Sequence, residues 1–525
     1  MNESIKMLNN EVLLGDMLDN RANKLSAEAA AVFHGKSISY SDFKNSVEAL
    51  ATSFLKMGLS SEDRIAIILP TRPEFLYVWL AASKIGASVV GLNVRYRENE
   101  IIYMCNDSKP TVLVCINEFA DLNYGEFLTN LLPKIPSIQH FIFFGDTGFN
   151  NAIDFENLLK ESSDFVLLSK QQPKEDADNF LIYTSGSTGK PKGAVLTQKS
   201  ILAMIRPWVN NLALIEDDRF LCVLPLNHVG GATICAMSSL ASGATMIMHD
   251  VFNPSVVLNL INEQQVTIAA GVPTMYATLF TLPDFDKDYL SSIRMAIYGG
   301  AAASPELLES MNKLMNCRII GTYGSTEVSG FCTYTTKDDP FEKILTTVGK
   351  APQSVELKIV DPETRSLLDT EEIGEVAIKG ELLFNRYLNM PEETSNVFDN
   401  EGWFYSGDMG HIDQDGYLTL AGRLNEMYIT GGFNVYPKEI EDVLCEHPSV
   451  AMAAVVGVHD DIKGEIGWGF VMKVPGSNVS EEGLKEYCQS KIAKYKVPTR
   501  IFIEDNLPMT ALGKIHKPTL LEKYL

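Results

Sequence analysis

Several sequence features that mark secreted or metal-binding proteins are absent from this chain. It has 8 cysteines but no Cys-x-x-Cys pair, and most of the cysteines lie in apolar runs. This pattern is typical of reduced, buried thiols rather than of disulfides or zinc ligands. The N-terminus lacks the apolar segment of a secretory signal, and the last residues are not a peroxisomal signal. We therefore expect a cytoplasmic protein.

Positive charge is also scarce. The sequence has 44 Lys and Arg against 67 Asp and Glu, a net charge of -23. This balance argues against nucleic acid as a partner, because phosphate backbones bind basic surfaces. An acidic protein that binds a polyanionic nucleotide must concentrate its cations locally, so single lysines and arginines are informative. The 525 residues are enough for more than one domain.

One uncharged stretch, residues 220–248, is long enough to suggest a membrane span. Pro225, Asn227, His228 and the Gly230-Gly231 pair interrupt it, together with several serines. Such breaks favour a buried loop–helix–strand unit over a spanning helix. We expect no integral membrane segment.

Strands alternate with helices through the first two thirds of the chain. A polar hairpin is predicted at 34–40, followed by a helix capped by Ser41 or Asp42. Strands are then predicted at 64–69, 88–92 and 111–115, and helices at 75–85 and 99–106. The alternation returns after residue 197, with helices at 200–211 and 255–264 and strands at 219–224, 245–248, 293–297 and 317–322. This order is typical of parallel, doubly wound sheets.

The character of the sequence changes near Val348, where short strands and turns begin. Strands at 356–360, 375–378 and 417–420 predict a small, distorted β-barrel or antiparallel layer. A compact α+β unit of about one hundred residues follows Arg423, with helices at 437–445 and 481–495 and strands at 451–456, 470–473 and 501–503. The predicted fold class is α/β, with a large N-terminal part of doubly wound mixed or parallel sheets and a small α+β C-terminal part.

The segment from Thr184 to Lys192 combines hydroxyl residues, glycines and lysines directly after an apolar strand. Glycines let backbone N–H groups approach an anion, hydroxyls donate hydrogen bonds and lysines balance charge, so the segment indicates phosphate binding. A Walker A loop is disfavoured because Thr184 and Pro191 occupy its glycine and hydroxyl positions. The fixed lysines and proline disfavour a flexible linker. The candidate contacts are Thr184, Ser185, Gly186, Ser187, Thr188, Gly189, Lys190 and Lys192.

Four further motifs carry groups suited to a nucleotide. In the segment from Tyr298 to Ala301, two glycines allow a flat ring to lie against the backbone. The segment from Gly321 to Glu327 offers an aromatic face for a purine, hydroxyls for phosphate and a carboxylate for Mg²⁺. Asp408, after a glycine turn, can accept both hydroxyls of a ribose. Lys514 lies in a tight turn near the C-terminus.

Each motif alone also has a simpler interpretation. The Ser325-Thr326 pair could cap a helix, the Gly407-Asp408 pair could be an ordinary turn, and Lys514 could be a solvated charge. His228, in an apolar run, could be a satisfied core histidine. The joint occurrence of the motifs in this order favours a nucleotide site.

Together the motifs closely resemble those of the adenylate-forming superfamily, which includes acyl-CoA synthetases, stand-alone adenylation domains and beetle luciferases. The resemblance extends from Ser39 to Lys517 and is nearest to fatty-acid and coumarate-type CoA ligases. It implies an N-terminal domain of residues 1–424 and a mobile C-terminal domain of residues 425–525 with the catalytic lysine. It also implies ATP, Mg²⁺ and coenzyme A as cofactor and co-substrates.

The resemblance implies a role for each motif residue. The 184–192 loop grips the β- and γ-phosphates of ATP, Thr184 and Glu327 hold Mg²⁺, and Lys514 catalyses adenylation. The implied nucleotide contacts are Gly300, Ala301, Gly321, Thr322, Tyr323, Thr326, Asp408 and Arg423. Of these, Tyr323 stacks on adenine, Thr326 contacts the α-phosphate, and Asp408 and Arg423 bind the ribose. The implied acyl contacts are His228, Gly230 and Ala302, and His228 is also a candidate catalytic residue. The implied coenzyme A contacts are Gly431 and Gly432. Asn425 is the implied hinge, where the family usually has Asp or Lys, and Gly431 stands where coumarate-type ligases have a lysine.

The resemblance predicts a carboxylate–CoA ligase that activates an acid with ATP and transfers the acyl group to coenzyme A, releasing AMP. An adenylating enzyme that loads a carrier protein is the alternative, and a luciferase-type oxygenase is a third. Small residues after His228 and at 301–303 suggest room for a medium- or long-chain fatty acid, with an aryl acid as runner-up. The expected partner is a small-molecule carboxylic acid, and a homodimer stays an open alternative to a monomer.

Overall fold

Two large sheets form the N-terminal part of the molecule. The computed structural model describes residues 3–119, 122–144, 152–184, 191–431, 433–460, 462–474, 476–509 and 515–524. The first sheet has the spatial strand order Arg386–Tyr387, Lys192–Thr197, Asp178–Thr184, Ser88–Leu92, Arg64–Ile68, Val112–Cys115, His140–Phe143 and Ile153–Asp154. Its pairings are parallel except at the edge formed by Lys192–Thr197 and Arg386–Tyr387, where they are antiparallel.

The second sheet follows the same plan. Its spatial strand order is Thr333–Tyr334, Arg318–Tyr323, Met295–Tyr298, Ile268–Gly271, Arg219–Cys222, Thr245–Met248, Ala29–Phe33 and Lys36–Ser39. The central pairings are parallel, and an antiparallel strand closes each edge. The predicted doubly wound arrangement is confirmed.

Both sheets are buried on their two faces. Successive strand residues point to opposite faces, and Ile65 packs into the largest core whereas Ala66 packs into another. In the second sheet, Phe220 packs into that same largest core and Leu221 into a third. The largest core therefore lies between the two sheets, and this explains why the strands read as continuous apolar runs.

Helices pack on both sides of each sheet: Leu14–Lys24, Tyr40–Lys56, Pro73–Ile85 and Gln198–Asn211 contribute to the largest core between the sheets, whereas Glu98–Ser108, Pro254–Glu263 and Pro305–Met315 pack into the two outer cores. The longer ones are Leu14–Lys24, Tyr40–Lys56, Pro73–Ile85, Glu98–Ser108, Gln198–Asn211, Pro254–Glu263 and Pro305–Met315, and the shorter ones are Glu3–Leu8, Tyr124–Leu131, Phe155–Leu159, Phe165–Leu168, Ser238–Ser242, Pro273–Phe280, Phe341–Thr346 and Pro391–Val397. The predicted cap at Ser41 or Asp42 is wrong. Ser39 is the cap, because its hydroxyl accepts from the Asp42 N–H at 3.0 Å.

The uncharged stretch forms a buried unit within the second sheet. It contains the strand Arg219–Cys222, the π-helix Gly230–Met237, the helix Ser238–Ser242 and the strand Thr245–Met248. Across the described ranges, no helix is both long enough and apolar enough to cross a membrane. The predicted loop–helix–strand unit is confirmed.

A smaller antiparallel sheet follows the two large ones. Its strand order is Glu356–Val360, Gly374–Lys379, Phe404–Ile412 and Leu418–Arg423. The layer predicted as a barrel or an antiparallel sheet is thus an antiparallel sheet. Its second and third strands shift register between Glu375 and Ala377, and this irregularity lies beside the candidate site.

The C-terminal part is a separate α+β unit. Its sheet contains Phe433–Val435, Tyr428–Thr430, Gly464–Lys473, Val450–Asp460 and Arg500–Glu504, and its helices are Pro437–Cys445, Glu481–Lys491 and Lys517–Glu522. The helix predicted to reach residue 495 ends at Lys491, because the backbone at Ile492 is extended and Ile492 packs against the local core. Residues 494–496 form a short 3₁₀ turn instead.

Candidate active site

A large cavity opens at the carboxyl ends of the central strands of both large sheets, where ligands bind in open α/β folds. Its volume is about 1210 Å³, which is enough for a nucleotide together with an acyl group. The smaller antiparallel sheet and the Leu424–Glu426 turn form further parts of its wall. The predicted site residues that line it are Thr184, Lys192, His228, Gly230, Gly300, Thr322, Thr326, Glu327, Arg423 and Asn425.

Thr184 and Lys192 are paired across two antiparallel strands and bracket the predicted phosphate-binding loop. The Thr184 hydroxyl donates to the Lys192 carbonyl oxygen at 3.4 Å. The Lys192 ammonium lies 5.2 Å from the centroid of the Tyr387 ring, an arrangement that holds the cation without neutralising it. The predicted contacts Ser185, Gly186, Ser187, Thr188, Gly189 and Lys190 lie outside the described residues.

Glu327 is held in place by a tyrosine. The Tyr387 hydroxyl donates a 2.8 Å hydrogen bond to Glu327 Oε1, and the Glu327 carbonyl oxygen accepts from the Phe384 N–H at 2.8 Å. Burial, with the nearby carboxylate, raises the pKa of Tyr387, so its hydroxyl remains a donor. The carboxylate of Glu327 keeps acceptor capacity for a further ligand.

These residues fit a magnesium ion that is held jointly by protein and substrate. Mg²⁺ prefers oxygen ligands and is commonly bound by one or two carboxylates together with substrate phosphates. Glu327 supplies a carboxylate, and Thr184 supplies a hydroxyl beside the phosphate-binding segment. Within the described ranges, no group of three or more His, Cys, Asp and Glu side chains could hold a metal ion by itself.

Two glycines after the strand ends leave no room for a side chain. A Cβ at Gly299 would lie 2.1 Å from Thr322 Oγ1, and a Cβ at Gly324 would lie 2.2 Å from the Phe331 Cα. Both glycines line the cavity. Bare backbone therefore forms this wall, as a site for a flat ring requires.

Three predicted nucleotide or acyl contacts lie elsewhere. Ala301 and Ala302 are exposed and are not among the described residues that line the cavity. Gly299 and Gly300 occupy the wall in their place. Gly321 is buried within its strand, where its N–H donates to Thr335 Oγ1 at 2.8 Å. The roles predicted for these three residues stay predictions.

Tyr323, Asp408 and Arg423 form one hydrogen-bonded group. The Tyr323 hydroxyl donates to Asp408 Oδ2 at 2.7 Å, and Arg423 Nε donates to Asp408 Oδ1 at 2.9 Å. The Asp408 carboxylate raises the pKa of Arg423. Tyr323 is only 8% exposed, and burial raises the pKa of its hydroxyl. In the described part of the wall Arg423 lines the cavity and Tyr323 does not, so the adenine contact of Tyr323 stays a prediction.

Asp408 does not follow an ordinary turn, and this corrects the sequence analysis. It lies inside the strand Phe404–Ile412, directly after Gly407, whose φ is +71°. Asp408 is the ladder partner of Arg423 in the next strand. Strand pairing therefore brings these two residues together.

His228 lies beside the π-helix and lines the cavity with Gly230. The Gly230 N–H donates to His228 Nδ1 at 3.2 Å. A ring nitrogen that accepts a hydrogen bond carries no proton, so the neutral ring has its proton on Nε2. In this tautomer Nε2 of His228 is a hydrogen-bond donor.

One part of the cavity has an apolar lining. Its side chains are Val223, Leu224, Ile234, Val251, Phe252, Ala270, Val272, Met275 and Ile297. A second, smaller apolar void shares Phe252, Ala270 and Met275 with this wall. Such a lining suits a hydrocarbon chain or an aromatic ring.

The C-terminal unit contributes Asn425 and His516 to the cavity wall. Lys517, next to His516, forms ion pairs with Glu426 and, at 2.8 Å, with Glu441. Burial opposes the charge of Lys517, but the two carboxylates outweigh this effect and raise its pKa. The ion pair between Lys517 and Glu426 therefore connects the chain after residue 514 to the residue that follows Asn425.

The other residues predicted in this unit are only partly described. Lys514 lies outside the described residues, although Met509 and Ile515 on either side of it pair in an antiparallel bridge. Gly431 has a φ of +57° at the turn of a hairpin, and it is not among the described residues that line the cavity. Gly432 lies outside the described residues.

Tyr387 and Glu375 line the cavity, and the sequence analysis missed both. Tyr387 belongs to the short strand that pairs with the strand of Lys192, and Glu375 lies near the start of Gly374–Lys379. Neither residue is in a Gly-rich or hydroxyl-rich motif. The one local signal was a glutamate in an otherwise apolar predicted strand.

Comparison with family models matches both parts of the chain. Residues 18–388 match the model described as AMP-binding enzyme, and residues 439–514 match the model of the AMP-binding enzyme C-terminal domain. The second match ends at Lys514, the predicted catalytic lysine.

Curated relatives are similar over nearly the whole length. The putative acyl-CoA synthetase YngI of Bacillus subtilis is 32% identical over 97% of this chain and 96% of its own. The medium-chain fatty-acid–CoA ligase of Escherichia coli is 31% identical over 96% of this chain and 89% of its own. The 4-coumarate–CoA ligase 3 of Arabidopsis thaliana is 32% identical over 93% and 87%.

Solved structures agree with this similarity. ATP-bound MatB of Rhodopseudomonas palustris superposes with a TM-score of 0.88 at 28% identity, covering 97% of this chain and 99% of that one. The apo form of MatB, with the same coverage, gives a TM-score of 0.78. The present structure thus superposes better on the ATP-bound form.

Proposed function

The chain belongs to the AMP-binding enzyme family and is an ATP-dependent, AMP-forming acid–CoA ligase, and we propose that its acid is a medium- or long-chain fatty acid. The observation that carries this proposal is the apolar lining of one part of the cavity. The E. coli relative named for medium-chain fatty acids supports it. The 4-coumarate ligase relative keeps an aryl acid as the second candidate.

The charges near the apolar wall also support a monocarboxylic acid. The charged residue next to Val251 and Phe252 is Asp250, which lines the cavity and contacts His34 Nε2 at 2.6 Å. A carboxylate here would repel a second carboxylate at the far end of a substrate. The cations on the described cavity wall, Arg95, Lys192, Arg365 and Arg423, come from other segments.

Adenylation requires that two anions meet, the acid carboxylate and the α-phosphate of ATP. The attacking oxygen forms a bond to the α-phosphorus, and pyrophosphate leaves with the electrons of the broken P–O bond. Lys192 balances charge near the phosphates, and Lys514 neutralises the carboxylate and α-phosphate as they approach. Glu327 and Thr184 would hold Mg²⁺, which would supply positive charge against that of the triphosphate.

The acyl-adenylate then reacts with coenzyme A. The thiol sulfur bonds to the acyl carbon, the thiol proton passes to solvent, and AMP leaves with the electrons of the broken C–O bond. His228 positions the acid carboxylate through a hydrogen bond from Nε2, because its Nδ1 already accepts from Gly230. In this tautomer His228 is a donor and does not serve as the base for the thiol.

The C-terminal unit, residues 425–525, is proposed to rotate about Asn425 between the two half-reactions. The ATP-bound MatB superposition supports the arrangement seen here as that of adenylation. Asp408 and Arg423 bind the ribose, Tyr323 packs near adenine and Thr326 contacts the α-phosphate. The cytoplasm remains the proposed location, in keeping with the 8 free cysteines, and a homodimer remains a prediction.

A panel of acids tests the substrate proposal. The protein is incubated with ATP, Mg²⁺, coenzyme A and acetate, octanoate, dodecanoate, palmitate or 4-coumarate, and the thioesters are identified by mass spectrometry. We expect the highest kcat/KM among octanoate, dodecanoate and palmitate. Preferred turnover of 4-coumarate would replace the fatty acid by an aryl acid, and release of AMP independent of coenzyme A would favour a carrier-protein acceptor.

A further inference from the structure

The strand that carries Asp408 contains a bulge at the cavity. In the ladder between Gly374–Lys379 and Phe404–Ile412, Glu375 pairs with Met409 and Ala377 pairs with Tyr405. Between these pairs, one residue on the first strand faces the segment 406–408 on the second. Extra residues in one strand disrupt the ladder locally and redirect side chains.

Side chains replace the missing ladder hydrogen bonds. The Gly407 N–H donates to Glu375 Oε1 at 2.9 Å. The Ser406 hydroxyl donates to the Val376 carbonyl oxygen at 2.8 Å, and the Asp408 N–H donates to the Ser406 hydroxyl oxygen at 3.1 Å. Glu375 is thus the side chain of the neighbouring strand that fixes the middle of the bulge.

Burial of the Glu375 carboxyl group costs folding free energy, a cost that an apolar side chain at this position would not carry. Glu375 is 6% exposed, and burial raises the pKa of its carboxyl group, with a smaller contribution from the charge of Asp408 in the same direction. A buried carboxylate beside another carboxylate is unfavourable unless it accepts hydrogen bonds. The Gly407 N–H satisfies one oxygen, and Arg365 offsets part of the charge.

The bulge sets the direction of the Asp408 side chain. Gly407, with φ at +71°, turns the backbone immediately before Asp408. Asp408 then reaches Tyr323 and Arg423 on two other strands, at 2.7 Å and 2.9 Å. A change in the backbone at Gly407 would therefore move the Asp408 carboxylate, because a single peptide unit joins the two residues.

We propose that Glu375 is a positioning residue for ribose recognition, because its carboxylate holds the Gly407 N–H and thereby fixes the orientation of Asp408. This inference rests on the proposed binding of the ribose hydroxyls by Asp408. Glu375 acts through the bulge and does not itself contact the reacting atoms.

The test compares nucleotides that lack one ribose hydroxyl. Adenylation kcat/KM is measured with ATP, 2′-deoxyATP and 3′-deoxyATP for the full-length protein and for Glu375→Gln, Glu375→Met and Asp408→Ala. Glutamine retains an acceptor oxygen, whereas methionine has a similar length and no such oxygen. Since one hydrogen bond to a charged group corresponds to about tenfold or more in kcat/KM, we expect wild type to prefer ATP by about that factor over at least one analogue.

The expected pattern separates positioning from general damage. Glu375→Met should lose most of the preference for ATP, as Asp408→Ala does, while its kcat/KM with the deoxy analogue changes little. Glu375→Gln should keep the preference. Glu356→Ala, at an exposed position on the same sheet, is the control and should behave as wild type. If Glu375→Met does not fold, Ser406→Ala serves in its place. This variant removes the hydrogen bond from the Ser406 hydroxyl to the Val376 carbonyl oxygen in the same bulge, and it should reduce the preference for ATP.

Three results would overturn the inference, and they differ from one another. If Asp408→Ala loses the ribose preference while Glu375→Met and Ser406→Ala keep it, Glu375 does not position Asp408. If Asp408→Ala keeps the preference, the proposed ribose contact itself is wrong, and the role of Glu375 is lost with it. Loss of the preference in Glu375→Gln would contradict the hydrogen bond to Gly407 as the cause.

Discussion

Tyr387 and Glu327 are joined by a 2.8 Å hydrogen bond although they lie 60 positions apart in the sequence. The ring of the same tyrosine lies 5.2 Å from the Lys192 ammonium. One side chain therefore contacts both the candidate magnesium ligand and a candidate phosphate ligand. Its short strand pairs with the strand of Lys192, so the sheet fixes this arrangement.

Replacing Tyr387 by phenylalanine should weaken the use of Mg²⁺ by the enzyme. The Glu327 carboxylate would lose its hydrogen-bond donor and adopt more orientations, so we expect KM for Mg·ATP to rise about three- to tenfold. Adenylation rates at several concentrations of ATP and Mg²⁺ measure this. Tyr417→Phe removes a similar hydrogen bond to Asp339 at 2.6 Å and is the control. Equal magnesium dependence in both variants would contradict the role of Tyr387.

Alanine at position 324 should disrupt the site. A Cβ on Gly324 would lie 2.2 Å from the Phe331 Cα, and backbone atoms cannot move aside as a flexible side chain can. We expect a loss of several kcal/mol in the free energy of unfolding, or a displaced loop with adenylation reduced at least tenfold. Gly416→Ala is the matched control, since its Cβ would meet nothing within 4 Å and only its φ of +86° is unfavourable. It should cost about 1 kcal/mol, and similar losses in the two variants would argue against the close contact.

Met275→Ala should lengthen the preferred fatty acid. Met275 lines both the apolar part of the cavity and the smaller void, and its truncation removes about three heavy atoms there. We expect the optimum chain length to increase by about two to four carbons, as measured by kcat/KM across saturated fatty acids. Met311→Ala, in the same core and fully buried, should lower stability without changing the chain-length profile. An unchanged optimum in Met275→Ala would place the acyl chain elsewhere.

Lys514→Ala should separate the two half-reactions. Adenylation should fall at least about a hundredfold, because in the proposed mechanism the lysine neutralises charge only as the carboxylate meets the α-phosphate. Transfer from a supplied acyl-adenylate to coenzyme A should stay within about threefold of wild type. Lys523→Ala removes an exposed lysine that pairs with Glu504 at 2.7 Å and should affect neither rate. An equal loss in both half-reactions would refute a role restricted to adenylation.

The stability of Glu375→Gln relative to wild type should depend on pH. Burial raises the pKa of Glu375 above its ordinary value of 4.5, so the folded protein binds this proton more tightly than the unfolded chain. The unfavourable ionised form is absent at low pH and develops as pH rises through the raised pKa. The glutamine variant should therefore gain stability relative to wild type between about pH 4 and pH 7, as measured by urea unfolding. A constant difference, or a gain in the opposite direction, would show that Glu375 is not destabilised by burial.

Elements whose pattern is local could be predicted from the sequence. The strand Ser88–Leu92 and the helix Pro437–Cys445 begin and end where the apolar periodicity and the flanking glycine or proline place them. The motif residues Thr326 and Glu327 likewise reach the cavity as predicted. In each case the determining interactions lie within a few residues.

Features that depend on distant segments could not be predicted. Ser39 became the helix cap because the hairpin before it delivers its hydroxyl to the first turn. In the bulge before Asp408, the Gly407 N–H donates to a glutamate on another strand. Tyr387 reaches Glu327 only through the pairing of two sheet-edge strands. The spacing of neighbouring residues in the sequence does not predict such contacts.

The ion pairs of Lys517 with Glu426 and Glu441 have a consequence for the order of the reaction. They join the residue after the proposed pivot, Asn425, to the chain three residues beyond Lys514. Moving Lys517 away from this position would break two partly buried ionic contacts. In the proposed mechanism, departure of Lys514 therefore coincides with the swing of the entire C-terminal body, so that arrival of the thiol and removal of the first-step cation become a single event.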